Sequence, residues 1–501
     1  MDLRDYLEIL DSKGMLLKID GEVDWNLEAA CIATMLYRVS NGRYAILFEN
    51  VKGYSPEGGR LVSCIFSPNR RRFWDRTAIA MGLPEDTPYH RFREEFLRRS
   101  KKLIKPNEIS QADALCKEII KVGKEANLLD LPIPFLHAND GGRYLTMLGI
   151  VNKHPDTGWM NVGNYRWMVK GPRRGAALFV VGQQGPNIHL VYEMRGESCS
   201  FCIYVGGDPL NFMVAVAGVP EGVCEYDVLG GLRDKPIEVV RAETNDILIP
   251  ADAELVIEGE IRPGERTDEG PFGEYTGFTH GRNISPIFRV QCITHRKNPI
   301  IPFTVEGAKW NDGVGGSLFG MGSGWAEYVA DLGINVYDCW PANNIDAAGG
   351  LIPCYIDALT PDEPLRFAHA TFSYKATFAG LMSVIICDAN IDPTDTRDAF
   401  EAFGMSCDPR RQIFITDRDT YNYPLVFYTD AAERFKNIGA ARVAYDATVK
   451  FKPWAEKIRR SHFEASFPED MQRAVKDEFG KWGFDEPFEE KRVLTKSYKK
   501  Q

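Results

Sequence analysis

The chain has 501 residues, more than one hydrophobic core usually serves, so we expect two or three domains. Apolar residues make up 44% and charged residues 26%, which is the balance of a soluble folded protein. The net charge of −10 argues against nucleic acid or an anionic membrane as the main partner, because both attract concentrated Lys and Arg. No window reaches the roughly 20 apolar residues that span a bilayer.

Two further features predict a cytoplasmic location. The N-terminus lacks the basic start and apolar run of a secretory signal. The 11 cysteines form no disulfide framework. Cys199 and Cys202 form a Cys-x-x-Cys, but they lie three residues apart in a β-like run and so point to opposite faces. We therefore expect buried free thiols there rather than a metal or redox pair.

The first part of the chain mixes helices and strands. Apolar residues at helical spacing, and breaks at Gly and Asn, define the predicted elements. These are helices over Leu3–Lys13 and Leu27–Val39, strands over Met15–Ile19 and Tyr44–Phe48, and a mainly helical stretch from about 78 to 130. We group residues 1–120 as an N-terminal α/β segment that packs on the next domain.

Strands dominate from about 145 to 305. Short β-branched and aromatic runs recur between Gly, Pro and Asp breaks, a spacing that predicts a barrel or sandwich with helical insertions. The runs are Thr146–Val151, Phe179–Val181, Phe201–Val205, Ile247–Ile249, Leu255–Glu258, Ile287–Ile293 and Ile300–Val305.

From about 325 to 450 helices alternate with strands, which is the βαβ pattern of a second, α/β domain. Met382–Cys387 and Gln412–Ile415 are parallel-type strands of this part. The stretch from about 455 to 501 is charged and helix-prone but has no apolar stripe of its own. We expect it to pack on a neighbouring domain or subunit.

Several common catalytic motifs are missing from the sequence. There is no Gly-x-x-x-x-Gly-Lys-Ser/Thr phosphate loop and no Gly-x-Ser-x-Gly nucleophile elbow. The 8 histidines are spread thinly, which argues against a zinc hydrolase. The glycine-rich run from 313 to 324 lacks the phosphate-loop lysine, and we expect it to form a mobile loop near a site.

The first motif with chemical content is Asn161-Val-Gly-Asn-Tyr-Arg166. Its glycine would let backbone amides approach a bound group closely, while Asn161 and Arg166 offer a neutral oxygen and a fixed cation. The alternative is a strand edge with a surface arginine.

The second motif is Glu269-Gly-Pro-Phe-Gly-Glu274. Two carboxylates flank a turn that can direct both at one point. Neighbouring acids repel when both are ionised, which raises one pKa and leaves a proton donor near neutral pH. A nearby arginine would keep the other acid ionised. The alternative is a solvated acidic turn.

The third motif places Glu225 after Pro220-Glu-Gly-Val-Cys. A carboxylate there could bind a divalent cation that bridges a phosphate. The alternative is a negative charge at a helix start.

In this order and at these separations, the three motifs resemble the UbiD family of reversible decarboxylases that use prenylated FMN. Supporting segments are Gly206–Pro209, Ile293–Pro299 and Asp446–Thr448, and the resemblance runs from Asp2 to about Asp446. It implies a mixed α+β and α/β multidomain fold. Residues 121–310 would form a split β-barrel that binds prenylated FMN, 311–455 an α/β oligomerisation domain, and 456–501 a C-terminal helical tail.

The resemblance also implies a site. Arg166, Glu269 and Glu274 would form the catalytic network, with Glu274 as proton donor, and Asn161, Gln184 and Glu225 would bind a divalent metal, usually manganese. Potassium or sodium would accompany the metal at the phosphate. The flavin contacts would be Val162, Gly163, Asn164, Tyr165, Arg166, Gln183, Gln184 and Arg442.

The implied reaction is decarboxylation of an aromatic or other conjugated carboxylic acid, with carboxylation by CO2 in reverse. An electron sink is needed because no side chain delocalises the carbanion left on an sp2 carbon. A partner flavin prenyltransferase would supply the cofactor, and the chain would form homodimers or homohexamers.

Two positions depart from the family pattern. The family usually has Gln-His where this chain has Gln183-Gln184, so either the Gln184 amide or His189 would replace the histidine ligand. Arg442 stands where a lysine often contacts the phosphate, which keeps the charge. The segment Trp310–Trp325 does not match the family, and its glycines would leave room for a bulky acid such as an aryl-CoA thioester.

Two other functions stay open from the sequence. One is a redox enzyme that uses plain FMN, although no Gly-x-Gly-x-x-Gly follows a strand as a nicotinamide site would require. The other is a non-catalytic subunit of a carboxylase complex. The flavin spectrum of the purified protein and its NAD(P)H oxidation would separate these functions.

Overall fold

The computed structural model describes twelve stretches of the chain, which are residues 1–69, 73–179, 182–217, 219–275, 277–307, 311–339, 351–374, 382–393, 395–417, 441–453, 455 and 466–483. The chain divides into two compact units. The first unit comprises residues 1–87 and 93–320, and the second comprises 88–92 and 321–501.

The first unit holds most of the helices and strands. Its helices, the fourth of which starts in the second unit, are α1 (Leu3–Ser12), α2 (Glu28–Ser40), α3 (Asp75–Ala80), α4 (Tyr89–Ser100), α5 (Gln184–Arg195), α6 (Leu210–Val216) and α7 (Glu225–Arg233). Its strands are β1 (Leu16–Val23), β2 (Ala45–Val51), β3 (Arg60–Ser63), β4 (Asn107–Glu108), β5 (Ile119–Val122), β6 (Tyr144–Leu145), β7 (Leu148–Lys153), β8 (Met160–Gly163), β9 (Trp167–Gly171), β10 (Arg174–Ala177), β11 (Cys199–Val205), β12 (Glu238–Arg241), β13 (Leu248–Pro250), β14 (Leu255–Glu269), β15 (Phe272–Gly273), β16 (Thr279–His280), β17 (Asn283–His295) and β18 (Ile300–Pro302).

The N-terminal elements follow from local signals. Asp2 caps α1, because its side chain accepts a hydrogen bond from the Asp5 amide at 2.9 Å and Asp5 bonds back. The apolar face of α1 is buried, and Gly14 adopts a positive φ of 64° just after the helix. Asn41 ends α2 in the left-handed conformation. These ends lie within one or two residues of the predicted ones.

The central sheet has nine strands in the order β6-β9-β10-β17-β14-β11-β7-β8, with β5 pairing to β17. Over the described residues this order is an open path. The long antiparallel pair of β14 and β17 carries Glu269 at its end, and a second sheet joins β1, β2, β3 and β18. One large apolar core contains side chains from both sheets, including Phe48, Leu61, Phe201 and Phe288.

Strand β11 separates the two cysteines of the Cys-x-x-Cys motif as predicted. Cys199 belongs to the large core, whereas Cys202 belongs to a second core beside β12 and β13. Both thiols are fully buried, and burial raises the pKa of Cys199 to about 12.

The second unit is an α/β domain, as predicted. It contains α8 (Leu318–Asp331), which starts in the first unit, α9 (Glu363–Ser373), α10 (Thr396–Ser406), α11 (Glu469–Asp477), β19 (Val336–Cys339), β20 (Leu351–Ile356), β21 (Ser383–Asp388), β22 (Ile413–Ile415) and β23 (Val443–Asp446). The sheet order is β19-β20-β21-β23-β22, and β20, β21 and β23 are parallel.

Three local predictions are wrong. Strand β22 pairs antiparallel with β23, not parallel. Residues 101–130 hold short turns, β4 and β5 rather than helix, because β5 pairs with β17 and Pro106 lacks an amide hydrogen. The glycine-rich run forms a π-helical turn over Gly313–Ser317 that leads into α8. Its glycines permit close packing, since a side chain at Gly315 would collide with the Phe66 carbonyl.

Other predictions fall partly outside the described residues. Phe179 is not in a strand, and 180–181 lie outside the described stretches, as do Trp310 and all of the tail except 466–483. In the described part of the chain, no helix combines the length and apolar character needed to cross a membrane.

Candidate active site

The structure brings Arg166, Glu269 and Glu274 into direct contact. Arg166 binds Glu269 with both arms, from Nε to Oε1 at 2.8 Å and from Nη2 to Oε2 at 2.9 Å. Its Nη1 donates to Glu274 Oε1. The exposed fractions are 9% for Arg166, 0% for Glu269 and 8% for Glu274, so the three charges interact in a water-poor site.

The turn between the two acids explains their convergence. Glu269 ends β14, the Gly270–Pro271 bond is cis, and Gly270 has a φ of 85°. The chain then reverses through β15, and the Glu274 amide donates to the Phe278 carbonyl at 2.9 Å. A side chain at Gly270 would meet the Gly281 carbonyl, so the tight turn requires glycine there.

Glu274 has the electrostatics of a proton donor. Burial raises the pKa of the Glu274 carboxyl; the Arg166 guanidinium lowers it, and the neighbouring Glu269 raises it further. The net direction is upward, as predicted for one of two adjacent acids.

Three side chains that the sequence did not single out complete this site. Tyr144 donates its hydroxyl hydrogen to Glu269 Oε1 at 3.0 Å, and the Asn283 amide lies 3.5 Å from Oε2 of the same carboxylate. The Phe272 ring lies 4.7 Å from the Arg166 guanidinium carbon and 4.5 Å from the Tyr144 ring. These contacts fix the arginine and Glu269. Tyr144 lies outside the three sequence motifs, so no local sequence pattern predicts that it belongs to the site.

The predicted metal ligands also lie together. Asn161 Nδ2 donates to Gln184 Oε1 at 2.8 Å and to Glu225 Oε1 at 3.1 Å. The Val162 amide donates to Glu225 Oε2 at 2.7 Å. Glu225 is also the first residue of α7, the position that the alternative interpretation of this acid expects.

This cluster fits a cation. Burial raises the pKa of Glu225 to about 8, despite the hydrogen bonds from Val162 and Asn161, and nearby Asp227 raises it further. Among the described residues, Asn161 Oδ1 is buried without a hydrogen-bond partner. A buried carboxylate and an unpartnered amide oxygen are the ligands that hard divalent cations prefer. In the described part of the chain no cluster of three His, Cys, Asp or Glu forms an alternative centre.

Hydrogen bonds and ring packing fix residues 163–165, which connect the two clusters. The side-chain nitrogen of Asn164, when the amide group is oriented to donate, lies 3.2 Å from the Thr146 carbonyl oxygen and 3.0 Å from that of Leu148. The backbone amide of Asn164 donates to the Ala215 carbonyl. The Tyr165 ring folds over Gly163, where a side chain would collide with it, and its hydroxyl accepts from the Gly185 amide at 3.3 Å.

The remaining predicted contacts divide between the units. Gln183 occupies the N-cap position of α5 without a side-chain capping bond, and its buried Oε1 has no partner within the described residues. His189, also on α5, lies 3.8 Å from Glu193 and near Phe179, so Gln184 and not His189 contacts the cluster. Arg442 belongs to the second unit, where it precedes β23 and lies over the Phe372 ring.

The fold and this site define a class of flavin-dependent decarboxylases, and three comparisons place the chain in it. Matching family models are described as the N-terminal, Rift-related and C-terminal domains of 3-octaprenyl-4-hydroxybenzoate carboxy-lyase, over residues 7–96, 107–309 and 346–447. The chain therefore belongs to the UbiD family, and its activity class is that of a carboxy-lyase. The predicted family and activity class are confirmed.

Individual relatives agree with the family models. The chain is 34% identical over 323 residues to the phenolic acid decarboxylase of Streptomyces sp. (strain D7), which covers 62% of this chain and 65% of that protein. It is 26% identical over 507 residues to the pyrrole-2-carboxylic acid decarboxylase of Pseudomonas aeruginosa, covering 97% and 98%.

A solved structure confirms the mixed α/β multidomain fold. The UbiD-class enzyme HmfF of Pelotomaculum thermopropionicum, in an evolved dimeric form in complex with prFMN, matches with a TM-score of 0.74 at 25% identity. The match covers 91% of this chain and 98% of that one.

Proposed function

We propose that this chain is a reversible decarboxylase of an aromatic or other conjugated carboxylic acid that uses prenylated FMN. The observation that carries the proposal is the buried contact of Arg166 with both Glu269 and Glu274. The relatives named above act on phenolic and pyrrole carboxylic acids, which supports an aromatic substrate.

The catalytic roles follow from charge and proton position. The cofactor, when bound, supplies the electron sink that side chains lack. Arg166 presents a fixed cation toward which the substrate carboxylate is oriented, and Glu269 keeps that guanidinium in place. Glu274, whose carboxyl pKa is raised by burial and by Glu269, delivers its proton to the carbon that loses CO2. In the carboxylation direction the same carboxylate removes that proton.

A divalent cation, Mn²⁺ by preference, would be held by Asn161, Gln184 and Glu225, with K⁺ or Na⁺ as a second ion. Oxygen atoms of a carboxylate and two amides suit such hard cations, and Gln184 replaces the usual histidine without loss of a donor. The bound cation would anchor the flavin phosphate by charge.

The flavin itself would lie along residues 162–166 and near Gln183, with Arg442 as a phosphate contact. Two observations support this position: the buried Gln183 Oε1 has no partner among the described residues, and the Asn164 side chain can donate hydrogen bonds to the Thr146 and Leu148 carbonyls. We retain the domain division at 1–120, 121–310, 311–455 and 456–501, with 311–455 as the oligomerisation domain of a homodimer or homohexamer in the cytoplasm. A flavin prenyltransferase would supply the cofactor.

The test uses protein co-expressed with a flavin prenyltransferase and purified without oxygen. The mass of the released cofactor is determined, and CO2 release is measured with benzoic, 4-hydroxybenzoic, 2-furoic and pyrrole-2-carboxylic acids. An aryl-CoA thioester that keeps a second, free carboxylate on the ring is tested beside them. We expect a prenylated FMN mass and turnover of at least one free aromatic acid. Plain FMN with NAD(P)H oxidation would favour a redox enzyme, and a protein without flavin would favour a non-catalytic subunit. Turnover of the thioester alone would assign an aryl-CoA substrate.

A further inference from the structure

We propose that Glu306 passes protons from the surrounding water to Glu274, so that Glu274 regains its proton after each turnover. The proposal rests on the function proposed above. It assigns to Glu306 a positioning role that acts through Glu274, without contact to the substrate.

The proton balance of decarboxylation creates the need for such a residue. The bond to the carboxylate carbon breaks, CO2 leaves, and the electron pair stays on the substrate carbon. A new C–H bond then uses the proton of Glu274, so each turnover consumes one proton. Glu274 is only 8% exposed, which leaves it poor access to water.

Glu306 lies beside the Glu274 turn. A side chain added at Gly307 would lie 3.0 Å from the Glu274 carbonyl oxygen and 3.6 Å from Gly277, so the two backbone segments pack directly together. Glu306 itself is only partly buried, in contrast to Glu274. Of the two acids, Glu306 therefore has the larger exposed fraction.

The carboxyl group of Glu306 is held in a defined place. Asn311 Nδ2 donates to its Oε2 at 3.1 Å, and a side chain at Gly313 would collide with the carboxylate. Behind it, His137 Nε2 lies 2.7 Å from the Glu306 carbonyl oxygen, and His137 Nδ1 pairs with Asp140 at 3.0 Å. The same Asp140 accepts from the Gly273 amide at 2.9 Å, which ties the support of Glu306 to the catalytic turn.

The charges that face Glu306 suit proton transfer. Burial raises the pKa of the Glu306 carboxyl to about 8; Glu274 and Asp312 raise it, whereas the Asn311 hydrogen bond and His137 lower it. Burial raises the pKa of Tyr275, the residue after Glu274, and Glu274 and Glu306 raise it further. The pKa values of the Glu274 and Glu306 carboxyl groups are therefore shifted in the same direction, which favours proton transfer between them.

The test compares loaded wild-type enzyme with E306Q, E306D and, as a control, E265Q, which removes a surface carboxylate paired with Arg289. The substrate is whichever acid of the panel above the wild type decarboxylates fastest. Rapid quench with enzyme in excess gives the first turnover, and CO2 release gives the steady state. Because Glu306 is largely protonated near neutral pH, glutamine is a close mimic, and melting curves should match.

We expect E306Q to keep the wild-type first turnover while its steady-state rate falls about tenfold, since general acid–base groups are worth at least that much. E306D should recover most of the loss, and E265Q should match wild type. Equal loss in both phases of E306Q, or an unchanged steady state, would overturn the relay alone. A wild type without turnover would overturn the proposed function and the relay with it.

Discussion

Two buried carboxylate sites of the first unit differ in how their charge is balanced. Glu269 and Glu274 share Arg166, a cation encoded in the chain. Glu225 receives hydrogen bonds from neutral donors, and the charged neighbour that shifts its pKa is another acid. A buried charge is stable only when it is paired. The first site is therefore preformed, whereas the second would be completed by the added cation that we propose.

Removing the built-in cation should have the largest effect. Arg166→Met leaves Glu269 and Glu274 without their partner, so we expect a loss of about 3–5 kcal/mol in the free energy of unfolding, as for other broken buried pairs, and no detectable turnover. Urea melts and CO2 release measure both. Arg174→Ala, at an exposed arginine of the neighbouring strand β10, should change neither. An Arg166→Met protein as stable as wild type would show that the charges are balanced in another way.

Glu274→Gln should abolish the proton donor and keep the fold. We expect kcat to fall by about 10²–10⁴-fold, the usual worth of a general acid. Because the folded-state pKa of Glu274 is raised above its ordinary value of 4.5, the folded protein binds this proton more tightly than the unfolded chain. The free energy of unfolding should therefore fall as the pH rises above about 4.5, and it should fall less steeply in Glu274→Gln. A variant with wild-type kcat would remove Glu274 from the mechanism.

Glu225→Gln should break the second site only. The wild-type melting temperature should rise on addition of Mn²⁺ to the protein, and this rise should vanish in Glu225→Gln while the Arg166 cluster stays intact. Glu221→Gln, at an exposed acid four residues earlier in the chain, is the matched control and should keep the rise. If Glu225→Gln still responds to Mn²⁺, the cation binds elsewhere.

Gln184→His should change only the ion preference of the proposed cation site, the smallest effect of the four substitutions. It restores the histidine usual in the family, and an imidazole favours borderline cations over hard ones. We expect the melting response to shift from Mn²⁺ toward Zn²⁺, measured by titration of each ion. An unchanged order of the two ions would mean that Gln184 does not reach the metal.

The sequence predicts these sites unequally. The turn at Gly270 and Pro271 brings Glu269 and Glu274 together through local spacing. Arg166 is 103 residues from Glu269, and only the resemblance to the family predicted that the two would meet. Tyr144 and Glu306 reach the site through strand pairing and backbone packing that no local pattern records.

Fold predictions failed where packing overrides composition. The run 313–324 contains many glycines, which predicted a mobile loop, yet they serve close contacts with Phe66 and Phe212 at a helix start. Strand β5 forms because β17 offers it a partner, which a helical reading of 78–130 missed. Buried elements with strong periodicity, such as α1 and β11, were predicted well.

Decarboxylation in D2O by protein loaded with prenylated FMN, followed by mass spectrometry and NMR of the product, tests the role of Glu274 directly. We expect one deuterium at the carbon that lost CO2 with wild-type enzyme. We expect Glu274→Gln, still carrying the cofactor, to form this product at least a hundredfold more slowly. Equal rates of deuterated product from wild type and Glu274→Gln would show that the Arg166–Glu269–Glu274 cluster is not a proton-delivering decarboxylase site.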